Sequence, residues 1–150
     1  MNSHNHPMMG SIGSWLYRAL GGLRVDPAGP GFARFFIEPC FVDELNNVST
    51  ELETVKGNVL SKWVRQQEAW DLTVRIPVGS VAQIRLRSQD ITAIYCGGVN
   101  LLSNLHPAPV IGIDEVTVEA GMIILTTLSG TYSFQIEIQK GLEKVPPSGM

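Results

Sequence analysis

One hundred and fifty residues, 44% of them hydrophobic and 17% charged, describe one globular domain with enough chain to bury a core. A net charge of −3 leaves no basic footprint, which argues against nucleic acid and against an anionic membrane surface as partners. No apolar run approaches the roughly 20 residues of a spanning helix, and the polar start after Met1 does not read as a secretory leader, so the expected location is cytoplasmic.

The first element in chain order is a predicted helix. Over residues 8–23, apolar side chains recur at Met8, Ile12, Trp15, Leu16, Ala19, Leu20 and Leu23, a stripe with a period near 3.6. Pro7 suits a first helical turn, where its missing N–H is no loss. Gly10 and Gly13 each cost such a helix up to about 1 kcal/mol relative to alanine, which points to close approach of a backbone or a ligand on that face. Gly21-Gly22 ends it, and the stripe turns Trp15 towards a core. So broad an apolar face needs a surface to lie on.

Two prolines and two glycines within residues 27–31 mark a linker, which divides the chain into an N-terminal helix and linker (1–31) and a β-rich part (32–150). Strand-forming sequence follows. An aromatic run begins at Phe32, and residues 47–66 read as a hairpin turning at Gly57-Asn58. Trp70, Leu72, Val74 and Ile76 alternate with polar residues, as do Ala82, Ile84 and Leu86. Val116 and Val118 repeat the pattern, a strand follows Ala120-Gly121, and Tyr132, Phe134, Ile136 and Ile138 form the cleanest alternation. Residues 101–112 read as a long loop and 146–149 as a frayed tail. The predicted fold is mainly β, an antiparallel β-sandwich preceded by one N-terminal amphipathic α-helix.

Ser3, Asn5-His6, Gly10, Trp15-Leu16-Tyr17, Gly22-Leu23, Asp26-Pro27 and Pro30-Gly31 stand in an order that resembles the end of the catalytic domain of bacterial α-L-rhamnosidases, glycoside hydrolase family 78. The β-rich part resembles the same family more loosely, at Ile37-Glu38-Pro39, Ser61-Lys62-Trp63, Val74-Arg75-Ile76-Pro77 and the run Ser129, Gly130, Thr131, Tyr132, Ser133, Phe134. The resemblance implies the last piece of an (α/α)6 barrel followed by a C-terminal sandwich. It also implies an inverting mechanism with two carboxylic acids upstream of the Asn-His pair. It makes His6 the candidate substrate-binding residue, a neutral imidazole that hydrogen-bonds a rhamnose hydroxyl, with Asn5 as its structural partner.

The chain's own 14 acids fall in the linker, at turns or on the wet faces of strands, and none pairs by spacing as general acid and base. No catalytic residue is assigned. His4 and His6 with the distant His106 make no metal set, and no cofactor is expected. Cys40 and Cys96, without Cys-x-x-Cys spacing, read as free thiols, although a disulfide between them stays open. Trp70 continues a buried stripe, whereas Trp63 lies in a strand that alternates poorly and is a candidate sugar platform. Three functions compete. The first is a rhamnosidase C-terminal fragment whose sandwich is a structural accessory, inactive alone and meeting rhamnose-containing carbohydrate only when a barrel completes it. The second is a free-standing carbohydrate-binding sandwich. The third is an interaction module that forms a homo-oligomer through the helix at 8–23.

Overall fold

The computed structural model describes residues 13, 15, 16, 18–103 and 110–139. Eleven strands make up its elements, with one 3-10 turn at Pro30–Phe32. In chain order these are β1 (Leu23–Val25), β2 (Arg34–Ile37), β3 (Asn47–Thr54), β4 (Gly57–Arg65), β5 (Ala69–Ile76) and β6 (Val81–Arg87). Then follow β7 (Ile91–Cys96), β8 (Val99–Asn100), β9 (Ile113–Glu119), β10 (Met122–Thr127) and β11 (Gly130–Ile138). They form a five-stranded sheet A in the order β1-β2-β6-β10-β9 and a six-stranded sheet B in the order β3-β4-β5-β11-β7-β8.

The core fills the space between the sheets. Sheet A contributes Phe35, Ile37, Ile84, Leu86, Ile123 and Leu125, and sheet B contributes Trp63, Leu72, Val74, Ile94, Phe134 and Ile136. Burying each such side chain is worth roughly 1.5–3 kcal/mol before the cost of ordering the chain, which is why the alternating runs settle as they do.

The mainly β expectation holds, with one departure from antiparallel pairing. β2 and β6 run parallel, with Arg34 opposite Val81 and Ile37 opposite Ile84. Between them the chain makes three strands of sheet B, an odd number, and so returns to the end of the sandwich from which β2 set out. Hydrophobic alternation fixes faces, not neighbours, so this pairing leaves no sequence signal.

The hairpin at 47–66 is present, but its turn is not Gly57-Asn58. Thr54 pairs with Gly57, which makes Val55 and Lys56 the turn residues. The Thr54 hydroxyl accepts from the Lys56 N–H at 3.1 Å and donates to the Gly57 carbonyl at 2.7 Å, a local bond that competes well with a turn two residues later. β7 and β8 were not legible either. Ile91, Ala93, Ile94, Tyr95 and Cys96 do not alternate, because the β11–β7 register shifts between Glu137 and Ile138 and re-aims the strand start. Val118 was expected on a buried face; it sits on edge strand β9, where sheet cover runs out, and is exposed.

The helix expected over 8–23 is not among the elements. Residues 8–12, 14 and 17 lie outside the described residues, as do the loop at 104–109 and the tail from 140. Among the described ones, residues 13, 15, 16, 18 and 19 have helical backbone, and the Leu20 N–H donates to the Leu16 carbonyl at 3.0 Å. Leu23 opens β1 and does not close a helix. Trp15, expected to face a core, is 63% exposed.

Residues 26–33 join β1 to β2 within one sheet, since Leu23 pairs with Ile37 and Val25 with Phe35. Asp26 is buried here. Its Oδ1 accepts from the Ala28 N–H at 2.9 Å, its carbonyl accepts from the Gly29 N–H at 2.9 Å, and Arg34 Nε lies 3.5 Å from its Oδ2. Gly31 takes φ 64°, a value that favours glycine. Asp26-Pro27 and Pro30-Gly31 therefore shape a turn.

Candidate functional site

The chain meets the sandwich at Gly21 and Gly22, where two other segments approach its backbone closely. A Cβ on Gly21 would stand 2.3 Å from the Thr50 hydroxyl oxygen of β3. Gly22 has φ 70°, and a Cβ there would stand 2.1 Å from the carbonyl carbon of Glu38. The backbone is thus pressed between the two sheets, and the Glu38 N–H donates to the Gly22 carbonyl at 2.9 Å. Just before it, the indole N–H of Trp63 donates to the Leu20 carbonyl at 3.3 Å.

Trp63 is held by an aromatic cluster. Its ring packs edge-on against Trp70 at 5.2 Å and against Phe41 at 5.8 Å, and Phe41 stacks on Trp70 at 5.0 Å. Such pairs are worth about 0.5–1.5 kcal/mol each beyond the area they bury. Trp63 is fully buried and Trp70 is 4% exposed. Trp63 is therefore no sugar platform. Its strand alternates poorly because Ser61, not an aliphatic residue, is the inward neighbour at two residues' distance.

Beside the junction a cleft of about 610 Å³ opens, lined among others by Arg24, Glu38, Phe41, Trp70, Arg85 and Asp90. Glu38 is bracketed: Arg24 Nε lies 3.3 Å from its Oε2, and Arg85 donates to its Oε1 at 3.2 Å. Arg85 also donates to Gln83 Oε1 at 2.8 Å and stacks 3.7 Å over the Phe36 ring. Asp43, a second cleft acid, is paired with Arg65 at 3.2 Å. Charge here ties β1, β2 and β6 together at the point where the chain arrives.

The groups whose titration burial perturbs are elsewhere. Burial pushes the Cys96 thiol up, and burial, with the Cys96 charge second, pushes the Tyr132 phenol up. Tyr132 stands at the crossing from β10 to β11, where its hydroxyl lies 3.1 Å from the Leu128 carbonyl and 3.2 Å from that of Gly112. This pins one sheet to the other, as tyrosine corners do in other sandwiches. Cys40 is exposed, Cys96 is buried, and both are free thiols.

Of the residues singled out from sequence, His6, Asn5, His4 and His106 all lie outside the described residues. Among those described, no group of three or more His, Cys, Asp or Glu is placed to hold a metal ion. No helix among them is long and apolar enough to cross a membrane. Sequence reasoning took Gly21-Gly22 for a helix stop and missed its contacts with Thr50 and Glu38. The signal was present in two adjacent glycines before a strand, a pattern that also marks close backbone approach.

Residues 22–94 match the family model of the bacterial alpha-L-rhamnosidase C-terminal domain. Over that stretch the chain is similar to a rhamnosidase C-terminal domain. Two proteins of Formosa agariphila named alpha-L-rhamnosidase are 24% and 27% identical over 131 and 135 residues, which is 87% and 90% of this chain. The chain spans 13% and 14% of their lengths. The solved alpha-L-rhamnosidase of Dictyoglumus thermophilum is 27% identical, with a TM-score of 0.71 over 91% of this chain and 14% of its own. The match to the rhamnosidase C-terminal domain begins at Gly22, the pinched residue.

Proposed function

We propose that this chain is the non-catalytic C-terminal part of an α-L-rhamnosidase-type glycoside hydrolase. Its sandwich runs from about residue 22 and acts as a fixed seat for the segment before it. The observation that carries this reading is the junction. Trp63 holds the Leu20 carbonyl, and Gly21 and Gly22 admit the backbone where no side chain fits. A fixed exit direction is what a structural accessory must supply to a neighbouring domain.

In this reading the carboxylic acid pair belongs to chain that the sequence does not span, and these residues alone do not hydrolyse glycosides. His6 contacts the sugar only within the completed site. The assay is direct: the chain is offered an aryl α-L-rhamnoside and its turnover measured, with none expected. Turnover above background that persists in His6→Ala sinks the reading. The seat has its own test, since Trp63→Phe keeps an aromatic side chain, though a smaller one, and removes the N–H. Hydrogen exchange at the Glu38 amide, which donates to the Gly22 carbonyl, should then rise roughly tenfold while β4 stays protected. An unchanged rate removes the seat.

One observation favours a second reading, self-association. Trp15 and Leu16 are 63% and 43% exposed, large apolar side chains of the kind that an interface covers. Sedimentation of the chain beside Trp15→Asp separates the two. A dimer lost in the variant supports a homo-oligomer through residues 8–23, and a monomer in both leaves cover by the enzyme's other part.

A further inference from the structure

The outer face of sheet B is divided into two unlike halves. On β3 and β4 the outward positions include Glu51, Glu53 and Lys62, and Glu51 reaches Arg75 of β5 at 3.3 Å. This is the ordinary solvated surface of a sandwich. Across β5, β11 and β7 the outward rows change. Register puts Asp71 beside Gln135 and Gln135 beside Tyr95. The rows on either side carry Thr73 with Ser133 and, in the other direction, Ala69 and Ala93 flanking Glu137.

Short side chains around a central polar row leave a depression. Gly97 and Gly98, without side chains, line it at the Tyr95 end. Two adjacent hollows of about 960 and 440 Å³ lie here, with Asp71 and Gln135 lining both. Among the described residues, neither is lined by a lysine or an arginine. The Asp71 carboxylate is oriented by Gln66, whose Nε2 donates to Oδ2 at 2.8 Å.

Planar amides and carboxylates in a row offer paired donors and acceptors at the spacing of adjacent hydroxyls, and a tyrosine beside them offers an apolar ring with a polar tip. Glu68, Asp71 and Glu137 gather negative charge among the described lining residues, which disfavours an anionic ligand. We propose that the outer face of β5, β11 and β7 is a binding surface for a neutral, polyhydroxylated ligand, a short stretch of uncharged glycan. Gln135 and Asp71 hold its hydroxyls and Tyr95 packs against a sugar ring. This site is separate from the junction and stands whether or not the accessory reading does.

The test is a titration of the 150-residue chain with neutral oligosaccharides (a rhamnosyl-glucose disaccharide, cellotriose and mannotriose) and with a hexuronate trimer, followed by amide shifts and calorimetry. An open, shallow surface predicts a Kd in the millimolar range, on the order of 1–10 mM, for at least one neutral sugar and none for the uronate. Gln135→Ala, at an exposed position that leaves the core untouched, should weaken binding tenfold or more, and Tyr95→Ala likewise. Lys62→Ala, on the other half of the face, should change nothing. No saturable shift with any neutral sugar, shifts away from β5, β11 and β7, or equal binding of the uronate overturns the proposal.

Discussion

The two ends of the sandwich solve the same packing problem for different purposes. At the junction end, a buried side-chain donor, Trp63, grips the backbone of a segment that comes from outside the sheets. At the far end, Tyr132 grips the carbonyls of Gly112 and Leu128, which belong to the sandwich itself. Both ends need a glycine without a side chain: Gly22 against Glu38, and Gly112, where a Cβ would stand 2.0 Å from the Tyr132 hydroxyl oxygen. The far end closes the fold on itself. The junction end grips the backbone of residues 20–22 as it enters the sheets, and the cleft, the bracketed Glu38 and the aromatic cluster gather there.

Four changes break or sharpen that contrast. The largest expected effect is at the junction. Gly22→Ala forces a side chain into the Glu38 carbonyl at a positive φ and should cost roughly 2–4 kcal/mol in chemical denaturation. An unchanged midpoint would mean that the chain arrives by another path. Next comes the far end, where Tyr132→Phe removes the hydroxyl that the two loop carbonyls share. About 1–2 kcal/mol should be lost, without altered exchange at residues 18–22. Loss of protection at both ends together would show that the ends are not independent.

The third change is pH. Tyr132 and Cys96 have folded-state values raised above their ordinary 10.0 and 9.0, so folding favours the neutral phenol and thiol. Their stabilisation is complete below those ordinary values and is lost as pH rises through the raised ones. Melting temperature should therefore hold level through neutral pH and fall on the alkaline side. Tyr132→Phe and Cys96→Ala should each flatten the fall, and a parallel curve in both variants would exclude them as its source. The smallest effect is at the cleft rim. Arg24 is 58% exposed, so Arg24→Gln should cost about 0–1 kcal/mol and less in high salt, measured by thermal unfolding. A larger loss would make Glu38 a keystone of the junction.

Strands with one wet and one dry face were legible residue by residue, as at Leu72, Val74 and Ile76 or Tyr132, Phe134 and Ile136. Three things were not. β7 hid behind a register shift, Trp63 behind a serine in the core row, and the parallel β2–β6 pair has no local signature at all. Two of the motifs that carry the family resemblance proved to be architecture. Asp26-Pro27 builds the turn between β1 and β2, and Gly130 with Tyr132 builds the crossing between sheets. His6, the residue with a claim on substrate, lies outside the described residues and keeps its assignment from resemblance.

The order of sheet B carries a consequence for how such a domain is made. β11, the last strand described, lies in the middle of the sheet, between β5 and β7. As the chain leaves the ribosome, β3 to β5 can pair early, but β7 and β8 have no place in their sheet until Ile138 has emerged. Synthesis halted before β11 would leave two bare strand edges facing each other across a gap, and such edges invite aggregation or capture by a chaperone. The sandwich is in that sense a clasp that shuts with β11.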